Sequence, residues 1–239
     1  MFEMRDEYGA SQVRGLGCGF WTVWALATAA GGMTGQAAGQ ALITSILPPD
    51  SPTLTIMLYA VPSGLVMGTL LGLAQGAVLY RYIGLRGLRD WVLASLVGGM
   101  LRWAVIGPVA AEWTLSMNTG IIVCNVLIPL ALFGALAGAA FGFPQGFVFS
   151  RHLRHQVELD LWAWVLANAA GGLFFLPFVM LGGLTLSAVM AMGGFVTGDR
   201  FWPALIAMTL NWLITGIITG VPLRDRLRYH ARPSHLEFS

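Results

Sequence analysis

Six apolar runs alternate with short polar breaks along this chain: Leu16–Leu47, Leu54–Tyr80, Trp91–Ala111, Thr119–Phe149, Leu161–Met180 and Trp202–Val221. With a rise of about 1.5 Å per residue, each predicts a helix of about 30 Å or more, the thickness of a bilayer's hydrocarbon core. Turn signals separate them, Pro48-Pro49-Asp50-Ser51-Pro52 after the first and Gly198-Asp199-Arg200 before the last. The fifth run is irregular. No charged residue occurs between Leu161 and Gly198, and a single helix of that length would measure about 57 Å, too long for the membrane. Gly182-Gly183 and Gly193-Gly194 are expected to break it, leaving Leu184–Met192 as a short interfacial or re-entrant segment covered by protein. The apolar run after Arg14 exceeds a signal-peptide core and follows no short basic stretch, so it reads as a retained first span.

The runs also repeat. Trp24-Ala-Leu-Ala-Thr28-Ala-Ala-Gly31-Gly32, Trp91-Val-Leu-Ala-Ser95-Leu-Val-Gly98-Gly99 and Trp164-Val-Leu-Ala-Asn168-Ala-Ala-Gly171-Gly172 follow one pattern at alternate spans. The even spans carry Gly64, Gly68, Gly72 and Gly76 with Gln75, Val78 and Arg81, then Gly134, Gly138, Gly142 and Gly146 with Gln145, Val148 and Arg151. The sixth keeps Gly216 and Gly220; aligned on the earlier glycines, it has Leu223 and Arg224 where the glutamine and last glycine would fall. Residues four apart share a helix face, so glycine at that spacing makes a flat strip for close backbone approach, the main way helices associate in lipid. The expected fold is therefore all-α and membrane-integral, with three tandem hairpins about a pseudo-threefold axis, spanning about 16–83, 88–153 and 161–226, and a cytoplasmic tail at 227–239. Repeats of one direction differ from the inverted repeats of many transporters.

Arginine placement sets the expected orientation. Arg5 and Arg14 precede the first span, Arg81, Arg86 and Arg89 fill the second connection, Arg151 and Arg154 the fourth, and Arg224, Arg226, Arg228 and Arg232 lie in the tail. The odd connections hold only Arg200, which predicts cytoplasmic termini in a bacterial inner membrane. Trp24, Trp91 and Trp164 open the odd spans, and Arg81 and Arg151 close the even ones; all five are expected at the cytoplasmic interface. Composition agrees with lipid as solvent: 56% of residues are hydrophobic and 10% charged, where a soluble domain has about a quarter charged. A net charge of +2 is too small for nucleic-acid binding. Cys18 and Cys124 read as small packing residues.

The glycine-rich span ends, Gly-x3-Gly-x2-Gln-Gly-x-Val-x2-Arg, alternate with Trp-x-Leu-Ala-x3-Gly-Gly starts. Together they resemble a group of multi-pass bacterial membrane proteins without an assigned activity. The resemblance covers most of residues 20–225, departs at Leu223 and Arg224, and implies the hairpin fold but no mechanism, cofactor or partner.

Few side chains suggest chemistry. Arg102 falls about 16 Å along the third span from Trp91, near the midplane. An ionisable residue there is costly and is a functional candidate by default. Its counter-charge has three candidate sources: an internal network drawing on Gln36, Gln40, Asn125 or Asn211, a lipid or partner subunit, or a bound anion. Glu112 is about 15 Å further along. Thr28, Ser95 and Asn168 share one repeat position and form either a polar threefold site or ordinary hydrogen bonds between helices. Gln75 and Gln145 are expected near the cytoplasmic end, capping backbone groups or meeting headgroups, with Leu223 excluding a complete ring. His152 and His155 have a spacing possible for a metal, but a basic, lipid-facing loop explains them more simply. No nucleophile elbow, zinc-protease motif or phosphate loop is present, and no Ser–His or aspartate pair lies in the spans. The expectation is thus a protein without catalytic, metal or cofactor sites. It would be an accessory or scaffold protein packing against lipids or other membrane proteins through its glycine faces. The alternative is a small-solute transporter or channel with a polar path near the axis.

Overall fold

A computed structural model describes residues 18–46, 53–116, 124–152, 161–174 and 201–230, all of them helical. The helices are α1 (Cys18–Ile46), α2 (53–83), α3 (85–116), α4 (Cys124–His152), α5 (Leu161–Phe174) and α6 (Phe201–His230). Two of them contain stretches long and apolar enough to cross a membrane, Val61–Tyr80 in α2 and Ala131–Arg151 in α4, with mean hydropathies of 1.4 and 1.5. The expected re-entrant segment Leu184–Met192, with its flanking glycine pairs, lies outside the described residues.

The second connection is not the basic loop that its arginines suggested. Helix runs up to Gly84 and resumes at once; only Gly84 leaves the helical region, at φ 65° and ψ −175°. That conformation is essentially confined to glycine. A Cβ there would meet no atom within 4 Å, so any penalty is conformational rather than steric. Gly84→Ala is expected to destabilise the fold by about 2 kcal/mol, measured as a shift in the unfolding midpoint in mixed micelles. At the other end, α6 continues through Pro222 to His230, past the expected stop at Val221. Proline lacks an N–H and crowds the preceding turn, but the leucines and arginines beyond it are good helix formers.

Glycine decides how the helices meet. A Cβ on Gly31 would stand 2.7 Å from Ala74 Cβ and 2.9 Å from Leu71 Cα, so α1 and α2 touch through backbone. Gly98 faces the Phe141 carbonyl on α4, and Gly171 faces Thr215 on α6, with Cβ–Cα at 3.2 Å. The second glycine of each pair faces the other neighbour. Gly99 lies against Gly64 and Gly68 of α2, Gly172 against Gly134 and Gly138 of α4, and Gly32 against the Trp212 ring of α6. Each Gly-Gly pair thus serves two interfaces, and the six helices close into a ring in chain order, α6 returning to α1. The glycine strips are occupied within one chain.

Burial departs from that of a water-soluble domain, where most polar side chains stay outside. Gln145, Ser95 and Asn211 are fully enclosed, whereas Leu166, Leu132 and Phe147 are 66%, 62% and 60% exposed. An outer surface of this kind suits contact with lipid.

Candidate functional site

Three tryptophans close the interior of the ring at one level. Trp24, Trp91 and Trp164 are each fully buried. Their ring centroids are 6.2, 6.2 and 5.8 Å apart, with interplanar angles of 65°, 66° and 66°. Edge-to-face contact is the geometry that aromatic quadrupoles favour. Phe149 packs on Trp91 at 4.7 Å and on Trp164 at 4.9 Å, and Leu79, Val148 and Leu223 complete an apolar plug. These tryptophans were expected at the cytoplasmic interface; in the structure their rings face one another. Their glycine neighbours open the space they fill, since a Cβ on Gly76 would lie 3.6 Å from Trp91 Cδ1, one on Gly146 3.3 Å from Trp164 Cδ1, and one on Gly220 3.1 Å from Trp24 Cδ1. Arg151 is exposed at the end of α4; the Arg81 side chain lies outside the described ones.

About 6 Å further along the helices, one turn beyond the tryptophans, lies a buried polar layer. It brings together Thr28, Ser95 and Asn168 with Gln75, Gln145 and Thr219. Gln145 Nε2 donates to Ser95 Oγ at 2.8 Å and to Gln75 Oε1 at 3.2 Å, and Gln75 Nε2 donates to Thr28 Oγ1 at 3.1 Å. Four helices are thereby tied across the interior. Asn168 Nδ2 donates to the Trp164 carbonyl at 3.0 Å, and Trp24 Nε1 donates to Thr219 Oγ1 at 3.2 Å. The glutamines therefore sit inside the bundle rather than capping it or reaching headgroups.

Thr219 also corrects the register of α6. Gly72 meets Ser95, Gly142 meets Asn168, and Gly216 meets Thr28; Gly76, Gly146 and Gly220 then meet Trp91, Trp164 and Trp24. Thr219 consequently stands where Gln75 and Gln145 stand, and Leu223 joins Leu79 and Phe149 in the plug. The earlier alignment was one helical turn out, and Thr219, not Leu223, is the α6 residue beside the glycine that meets a tryptophan. Thr219→Val keeps the shape but removes the acceptor for Trp24. A loss of about 1–2 kcal/mol is expected, read as a lower unfolding midpoint alongside a folded far-UV spectrum.

A second level lies about 10–12 Å deeper, seven or eight residues on. Arg102 is 3% exposed there, its guanidinium 4.7 Å from the centroid of the Trp212 ring. A cation over an indole face gains about 0.5–2 kcal/mol, more when desolvated. Trp212 Nε1 donates to Gln36 Oε1 at 3.2 Å, and the fully buried Asn211 lies beside it in sequence. Of the oxygen sources expected for Arg102, Gln36 and Asn211 are both buried, while the side chains of Gln40, Asn125 and Glu112 lie outside the described ones. Trp212 was missed in the sequence because it occupies the place of Gly68 and Gly138, a match visible only in the corrected register. The side chains of His152 and His155 likewise lie outside those described.

No family model, curated protein or solved structure matches this chain. Its chemistry must be read from the site itself. Among the described residues, the ring interior offers amides, hydroxyls, indoles and the Arg102 guanidinium, groups that donate and accept hydrogen bonds.

Proposed function

We propose that the chain is a six-span protein of the bacterial inner membrane, three tandem hairpins about a threefold axis with both termini cytoplasmic, and that it carries a small polar solute along that axis without catalysis. The observation behind this reading is the stacking of two buried polar levels inside the ring, capped by the tryptophan plug. A bundle held together only by packing has no need of buried amides, each of which costs free energy unless fully hydrogen-bonded. Near-equal spacing of Trp24, Trp91 and Trp164 supports the threefold arrangement. The glycine faces that would have received a partner are filled by the chain's own helices, which favours the solute reading over the accessory one. The plug would act as the closed end of the path, and lipids would be the partners of the outer surface.

The test is efflux of small polar solutes from proteoliposomes. Flux above protein-free vesicles is expected, altered about tenfold or more by Gln145→Leu, which removes the link between Gln75 and Ser95. Vesicles that stay tight to the whole panel would remove this reading. The accessory reading keeps one supporting observation, the solid tryptophan plug. It predicts that mild-detergent purification yields a defined larger complex, whereas a solute carrier is expected as this chain alone or as copies of it.

A further inference from the structure

Inside the polar layer, hydrogen-bonding capacity of both signs is left over. Trp91 Nε1 and Trp164 Nε1 are buried donors with no acceptor, and Gln145 Oε1 is a buried acceptor with no donor. Trp24 provides the comparison, since its indole occupies the corresponding place and gives its proton to Thr219 Oγ1. The orientation of Gln145 is fixed by its neighbours. Ser95 Oγ donates to the Trp91 carbonyl at 2.8 Å, so towards Gln145 it can only accept, and Gln75 Oε1 can only accept as well. Both accept from the NH2 end of Gln145, which turns its amide oxygen elsewhere. Trp164 packs beside Gly146, the residue after Gln145. One level deeper the same situation recurs: Nδ2 and Oδ1 of Asn211 are both buried without a partner.

Buried polar atoms are almost always satisfied, if not by protein then by a bound molecule. The signs of the leftover atoms restrict what that molecule is. A metal cation would be repelled by the indole N–H groups, and a simple anion by the amide oxygens. We infer that the ring interior binds small uncharged molecules that both donate and accept hydrogen bonds, water being the smallest, with one seated between Trp164 Nε1 and Gln145 Oε1. This deepens the solute reading by naming the solute class, but it concerns occupancy and does not require flux.

The probe is water. In the full chain in bilayers with 15N-labelled tryptophan, the indole N–H signals of Trp91 and Trp164 are expected to show magnetisation transfer from water, and that of Trp24 none. Gln145→Leu should abolish the transfer to Trp164 and leave the Trp24 signal in place. Dry Trp91 and Trp164 indoles would overturn the inference. Trp164→Phe supplies a second reading that does not depend on the Gln145 variant folding. The smaller ring loses packing in either case, so the loss is set beside that of Trp24→Phe, whose indole has a protein acceptor. A guest held by Trp164 Nε1 predicts a comparable fall in the folding equilibrium constant; an unpaired N–H predicts a fall smaller by about fivefold or more. A wet interior in vesicles that pass no solute would sustain this inference while removing the transport reading.

Discussion

Replacing Gly68 and Gly138 together with leucine is expected to prevent the single chain from folding, with no partner involved. A Cβ on Gly68 would run into the Ser95 carbonyl and lie 2.9 Å from Leu96 Cα; one on Gly138 would run into the Asn168 carbonyl and lie 3.2 Å from Ala169 Cα. These obstacles are backbone atoms and cannot rotate away. Only separation of α2 from α3 and of α4 from α5 would make room, pulling Ser95 and Asn168 out of the polar layer. Overpacking of this kind costs about 3 kcal/mol at each site, and together the two approach the whole stability of a typical domain. The measurement is the yield of monodisperse protein in mild detergent with its unfolding midpoint, set beside Gly19→Ala. Gly19 has nothing within 4 Å of its Cβ position and should tolerate the change. A double leucine variant that folds normally and loses only a larger complex would show that the glycine strips serve a partner after all.

Trp212→Ala is expected to be the most damaging single substitution at the deeper level. The ring fills the hollow over Gly32, receives Arg102 on its face and donates to Gln36. Truncation leaves a cavity costing about 3–5 kcal/mol and takes the aromatic face from a buried guanidinium. Trp212→Phe separates the contributions. It keeps a π face for Arg102 and loses the hydrogen bond to Gln36, for about 1 kcal/mol together with part of the packing. Unfolding midpoints of the two variants in mixed micelles decide the matter. Equal losses would mean that the hydrogen bond, not the ring, holds this level together.

These two sites differ in how far they could be read in advance. Glycine every fourth residue in α2 and α4 announces a flat strip whatever the fold, because the spacing alone puts those positions on one face. Trp212 announces nothing by itself. Its meaning comes from standing where Gly68 and Gly138 stand, and that equivalence depends on a register that Gly216 and Gly220 leave ambiguous by one turn. Gln75 and Gln145 were legible as polar, but their direction was not. A glutamine six residues before an arginine can point to a headgroup or inward, and only Ser95 and Thr28 across the interface decide between the two.

The sequence by itself determined that the described elements are helices, that two of them suit a membrane, and that their small, polar and aromatic residues recur in a fixed order. Those features follow from local periodicity, which one chain segment carries alone. Only the tertiary structure decided that each Gly-Gly pair divides its contacts between two neighbours, that three tryptophans turn inward to one another, and that Thr219 completes the polar layer. The physical reason is that an apolar side chain can face lipid or other helices at similar cost. Hydropathy therefore marks the helix but not its inward side, which is fixed by the shape and hydrogen bonds of whichever helix stands opposite.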